Sequence, residues 1–170
     1  MPESPKEARL RPSLLERLTD REPGRAREPR EARAVDEESL KEQVRRDVSW
    51  LFNTTHLEAT HALDAYPEVA RSVVNFGIPA LTGRTLGGVD VEALQRDVLT
   101  ALTRFEPRLA PESLEIEVLP AREQFAGNAL IIDVRGVLYA EPLPLALYLR
   151  TEVDLESGRI AVAERREGGG

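Results

Sequence analysis

The sequence predicts an α+β fold: N-terminal helices followed by a mainly antiparallel four-stranded sheet packed against two amphipathic helices. Three observations predict it. Two segments, 36–53 and 90–105, repeat apolar residues every three or four positions, as one buried helix face requires. Beyond residue 113 the apolar period drops to two, the signature of half-buried strands. Helices first and an antiparallel sheet after make an α+β arrangement.

The elements follow in order. Leu10, Leu14, Leu15 and Leu18 form a short apolar stripe, with Ser13 and Glu16 placed as a capping box. A helix that short must dock to be stable. Residues 20–35 (DREPGRAREPREARAV) hold two prolines, a glycine and many charges, and predict a flexible linker. Residues 1–35 are therefore expected to be a short helix and linker, 36–165 the folded domain and 166–170 a disordered tail.

Asp36 is placed to cap the first long helix, with Glu37 and Glu38 suiting its positive end. Leu40, Val44, Val48 and Leu51 are its stripe, which Trp50 and Phe52 are expected to widen. Residues 54–66 predict an irregular connection, and Pro67 starts a short helix to about Val73. Residues 75–89 (NFGIPALTGRTLGGV) predict a glycine-rich loop. Asp90 caps the second long helix, whose stripe is Val91, Leu94, Val98, Leu102 and Phe105. Glu106 precedes Pro107 and is pushed out of helical geometry, so the helix ends there. Leu114, Ile116 and Val118 mark the first strand, and residues 128–139 the second, with Gly136 as a candidate bulge. In residues 145–155 the leucines, Thr151 and Val153 face one way, and Ala146, Tyr148, Arg150, Glu152 and Asp154 the other. A turn at 156–159 leads to a last strand with Ile160 and Val162.

Composition narrows the function. The chain of 170 residues carries a net charge of -7, and that acidic balance argues against nucleic-acid binding. There is no cysteine, so disulfides, thiolate metal sites and a cysteine nucleophile are excluded. No apolar run approaches the ~18 residues of a membrane span, and the N-terminus lacks the apolar core of a secretory signal. A soluble cytoplasmic protein with no cofactor is expected.

Few residues carry chemistry. His56 and His61 are five apart with no third ligand at metal-site spacing, and are expected to be solvated loop histidines. Residues 83–88 (GRTLGG) lack the Lys-Ser/Thr of a phosphate loop and predict a flexible loop. Glu152, Asp154 and Glu156 share a strand face at spacings compatible with a glycosidase pair, although an open sheet would leave their acidities alike. No serine sits in a nucleophile elbow. At Phe105-Glu106-Pro107-Arg108-Leu109 a proline stiffens the chain between opposite charges, and Phe105 and Leu109 anchor the turn. Arg108 offers a planar fork for carboxylates or helix carbonyls. The plainer reading is a helix stop with a weak surface ion pair.

This motif resembles the Glu-Pro-Arg signature of the lysozyme-like wedge proteins of contractile phage baseplates, whose bacterial branch is the TssE subunit of type VI secretion. PSLLERL, VRRDVSWLFNT, YPEVARSVVNFGIPALTG and RTEVDLESGRI match in order, over about Ser13 to Val162. The chain departs from that pattern at Thr55, often Arg, and at Phe76, often Tyr. The resemblance implies a structural wedge subunit beside the larger subunits TssF and TssG. It implies that Glu106, Pro107 and Arg108 bind their helical core bundle. It also implies that the sheet starts polymerisation of the contractile sheath proteins by strand addition, without direct membrane insertion, at a baseplate docked on the inner face of the envelope. It carries no catalytic pair onto any residue here. Two other classes remain: a small peptidoglycan glycosidase using Glu152 and Asp154, and an adaptor that binds through the Leu10–Leu18 helix.

Overall fold

The computed structural model describes residues 36–121, 128–140 and 143–165, together with Leu18. Apart from Leu18, which is exposed, the expected N-terminal helix, the linker and the tail at 166–170 lie outside the described residues.

Helix α1 (Glu37–Phe52) starts where Asp36, in extended geometry, accepts the Ser39 N–H on its carboxylate at 2.7 Å. Hydrogen bonding from the Ser39 side chain, then from its backbone N–H, draws the Asp36 carboxyl below its ordinary pKa. Leu40, Val44, Val48, Leu51 and Phe52 are buried on α1, and Gln43 joins them. Trp50 does not widen the stripe, because it is 51% exposed. Two positions past Val48, it is rotated about 200° from it, and the Arg46 guanidinium one turn back lies 5.2 Å from its ring centre. Helix α2 (Pro67–Arg71) has its proline in the first turn, as expected, and ends earlier than expected at Ser72. Helix α3 (Val91–Phe105) is capped by Asp90, which accepts the Ala93 N–H at 2.9 Å. Leu94, Val98, Ala101 and Leu102 form its buried face.

Strands β1 (Glu115–Pro120), β2 (Ala129–Leu138), β3 (Leu145–Asp154) and β4 (Ile160–Glu164) form one antiparallel meander in the order β1-β2-β3-β4. Helix α1 packs against β4 and β3, and α3 against β1. Leu130, Ile132, Val134 and Leu138 of β2 and Leu147, Leu149 and Val153 of β3 meet the two helix stripes in a single core. Full burial of such side chains contributes about 1.5–3 kcal/mol each. Among the described residues, both long helices pack on one sheet face, and no helix of theirs covers the other.

Two strand details depart from expectation. Gly136 makes no bulge: β2 pairs with β3 in unbroken register from Ala129↔Asp154 to Leu138↔Leu145. Glycine is there for space, since a Cβ would lie 3.1 Å from Leu114 Cδ2 and 3.4 Å from Leu109 Cδ2. Glu156 does not share the face of Glu152 and Asp154, because β3 ends at Asp154 and Glu156 belongs to the turn. Gly158 closes that turn at φ +73, donating to Asp154 O at 2.8 Å, where any Cβ would overlap the Thr82 hydroxyl. Asp133 points to the open face yet is only 3% exposed. Arg150 covers it through Nε at 2.8 Å and Nη2 at 2.6 Å, and the Tyr148 hydroxyl adds a bond at 2.8 Å.

Candidate docking site at the end of helix α3

Helix α3 ends on Glu106, whose N–H still donates to Leu102 O at 2.9 Å. At φ -121 and ψ 78 its backbone has left the helix, as the residue before a proline must. The extended path brings the Glu106 and Arg108 side chains to the same side, and they meet. Glu106 Oε1 accepts from Arg108 Nε at 2.6 Å and from the Arg108 backbone N–H at 3.2 Å. Glu106 Oε2 accepts from Arg108 Nη2 at 2.5 Å. This is a forked, charge-assisted pair. It is not the surface pair of the plainer reading, because Glu106 is 3% exposed.

Arg108 Nη2 also donates to Asp47 Oδ2 on α1 at 2.6 Å. Asp47 Oδ1 in turn accepts from Arg46 Nε at 3.2 Å, and Arg46 lies over Trp50. A charge network therefore runs from the end of α3 across α1. Burial works against the Arg108 charge and is the largest single influence on it. Hydrogen bonds and attraction from Glu106, then Asp47, outweigh burial and hold its pKa above the ordinary value. Arg108 Nη1 is buried with no hydrogen-bond partner.

The backbone fixes the motif as firmly. Leu109 is 1% exposed and bridges to Leu138 at the end of β2. Arg108 O accepts the Tyr139 N–H at 2.8 Å, and Ala110 N–H donates to Val137 O at 2.9 Å. Phe105 meets Phe76 edge-to-face, with ring centres 5.2 Å apart. Between these anchors Pro107 stays exposed and Arg108 partly so. The arrangement is a charge-compensated knob fixed to α1 and β2.

The structure brings Glu106, Pro107 and Arg108 together as the sequence implies, and adds Asp47, Arg46 and Trp50. The sequence reading assigns no role to Asp47. Its one signal is position: an acidic residue beside Val48, on the border of the buried stripe.

The other candidates lie apart. Asp154 accepts from the N–H groups of Glu156 and Ser157 and from the Ser157 hydroxyl. Those bonds, the hydroxyl's first, hold its carboxyl below the ordinary range. A glycosidase acid needs the opposite shift. His56 differs from a solvated histidine: its side chain is 17% exposed and 3.8 Å from Glu58, and its backbone N–H donates to Ile78 O. His61 is exposed and bonds Thr60. Among the described residues no group of three or more His, Cys, Asp or Glu could hold a metal ion. In the 83–88 loop Gly83 N–H donates to Leu155 O, and Leu86 N–H to the Asn128 side chain. Asn128 also donates back to Arg84 O at 2.5 Å, which ties the loop to the start of β2.

Among the described residues no helix is long and apolar enough to cross a membrane. Neither the curated proteins nor the solved structures contain a match to the chain. The family model described as baseplate wedge protein gp25 does match, over residues 38–143. That span is more than half of the chain and takes in α1, α3, the Glu106–Arg108 motif and the first two strands. The chain belongs to the gp25 family of baseplate wedge proteins, structural subunits of contractile injection machines.

Proposed function

We propose that the chain is the TssE-type wedge subunit of a type VI secretion baseplate, working in the cytoplasm at the inner face of the envelope. It docks on the core bundle of the larger wedge subunits TssF and TssG through Pro107 and the rim of Arg108, with Glu106 behind them as support. Its sheet then starts polymerisation of the contractile sheath by strand addition.

The observation that carries this reading is the pinning of Glu106–Arg108 to both α1 and β2. A knob ordered before binding loses little conformational freedom on docking. Arg108 therefore acts mostly inward, shaping the turn that Pro107 presents.

The test is recovery of TssF and TssG with the tagged full-length chain, with the thermal midpoint of each variant measured in parallel. Pro107→Ser should reduce recovery at least several-fold while the midpoint barely moves. Arg108→Ala should lower both. Undiminished recovery with Pro107→Ser would remove the knob from the interface. Failure of the wild type to recover any larger wedge subunit would end the type VI reading. Deletion of residues 1–35 is expected to leave the interaction standing, whereas the adaptor alternative requires its loss.

A further inference from the structure

The sheet has two edges, and the chain treats them differently. Arg159 O accepts the Asp154 N–H at 3.0 Å, and Arg165 N–H donates to Tyr148 O at 2.9 Å. Alternation then turns the peptide groups of Ile160, Val162 and Glu164 away from β3, toward the free side of β4. Asn53, just past α1, meets Ile160 there with both ends of its amide. Asn53 Nδ2 donates to Ile160 O at 2.9 Å, and Ile160 N–H donates to Asn53 Oδ1 at 3.2 Å. This is the two-bond exchange a neighbouring strand would make. The other Asn53 Nδ2 bond, to Ser49 O at 2.8 Å, fixes the amide in place. Arg45 Nη1 takes Val162 O at 3.0 Å and is itself held by Glu42 through two bonds.

At β1 the Ala121 N–H bonds Ala129 O at 3.1 Å, which turns the peptide groups of Ile116, Val118 and Pro120 toward the free edge. Gln95 takes Ile116 O at 3.2 Å. No side chain of the described residues bonds either backbone group of Val118. An edge with unpaired backbone groups is a template for an added strand, and each group held by a side chain is withdrawn from it; on β4 Asn53 and Arg45 withdraw three groups at Ile160 and Val162, leaving only the Val162 N–H and the groups of Glu164 at the strand's end.

We infer that β1 is the edge that accepts a strand, and that Asn53 and Arg45 close β4 by standing in for a neighbour. This rests on the strand-addition reading above. The open face of β1 carries Glu115, Glu117 and the exposed Leu119, while Ile116 and Val118 face the core. The segment that fits alternates Lys or Arg with apolar residues, placing its cations beside the two glutamates.

A photo-crosslinking amino acid placed at Leu119 or at Ala161 separates the edges, since both positions are exposed and sit on edge strands. The full-length chain is assembled with its baseplate and sheath proteins before irradiation. Adducts to sheath from position 119, at least tenfold above those from 161, are expected. Asn53→Ala should raise the adducts at 161, and silence there would remove the closing role of Asn53. Sheath adducts from 161 in the otherwise wild-type chain would overturn the choice of edge and leave strand addition standing. Silence at both positions while sheath polymerises would overturn strand addition, and this inference with it.

Discussion

Glu106 and Asp133 are each 3% exposed, and each is held by an arginine fork, yet they are buried for different reasons. Glu106 lies at the junction of α3, α1 and β2, so the protein body buries it. Its arginine reaches Asp47, far away in sequence on α1. Asp133 lies on the open face of the sheet, and the side chains that bind it also cover it. Its arginine comes from the facing position on the next strand. The same burial therefore describes a joint between distant elements in one case and a local cross-strand lid in the other. Removing the arginine should expose the difference: water can reach Asp133 once its lid is gone, but it cannot reach Glu106 without the helices parting.

The largest effect is expected from Arg108→Ala, which leaves the Glu106 carboxylate buried without its cation and frees α3 from α1. Loss of one partner of a buried pair costs about 3–5 kcal/mol. Urea unfolding should report a loss in that range, and a loss below about 1 kcal/mol would show that Glu106 is solvated after all. Arg150→Ala should cost less, about 1–3 kcal/mol. The Tyr148 hydroxyl keeps its bond to Asp133, and the open face admits water. Equal losses in the two variants would break the comparison.

Acid sharpens it. The hydrogen bonds from Arg150, then Tyr148, hold the Asp133 carboxyl below its ordinary pKa, against the opposing influence of burial. A carboxyl whose folded pKa is depressed stabilises the fold fully above its unfolded pKa, about 4. That contribution is lost as pH falls from there through the folded value. The stability gap between wild type and Asp133→Asn should be constant near neutrality and should shrink below about pH 4. A gap that widens on acidification would reverse the assigned sign.

How much of this was legible in the sequence depends on whether the controlling contacts are local. Asp36 and Asp90 cap the long helices as their positions predict, because a cap reaches only three residues along the chain. The alternation of β3 is equally legible, with Leu147, Leu149, Thr151 and Val153 buried and Glu152 and Asp154 exposed. Trp50 misleads because apolar character was read without its angle around the helix. Gly136 misleads because a glycine that makes room for Leu114 and a glycine that makes a bulge look alike in a string of letters. The Glu106–Arg108 pairing follows from the proline between them, whereas Asp47 depends on how two helices pack. Asp133 is the hardest case, since its burial is created by side chains of another strand.

The smallest expected effect concerns a carboxylate that neither cluster uses. Glu152 sits on the same sheet face, two residues before Asp154 on β3 and diagonal to Asp133 on β2, but it is exposed. It lies opposite Ile131 on β2 and Ala161 on β4, so no cross-strand arginine faces it. Glu152→Gln should change stability by no more than about 0.5 kcal/mol, which chemical denaturation can resolve against the loss in Arg150→Ala. The same variant tests the glycosidase alternative. A catalytic carboxylate is commonly held at a cost to the fold, so that replacing it would stabilise the domain and abolish peptidoglycan turnover. Unchanged stability together with no turnover by the wild-type chain places Glu152 on a solvated sheet face, where its charge keeps the open face soluble. The difference from Asp133 then comes down to whether the neighbouring strand supplies an arginine.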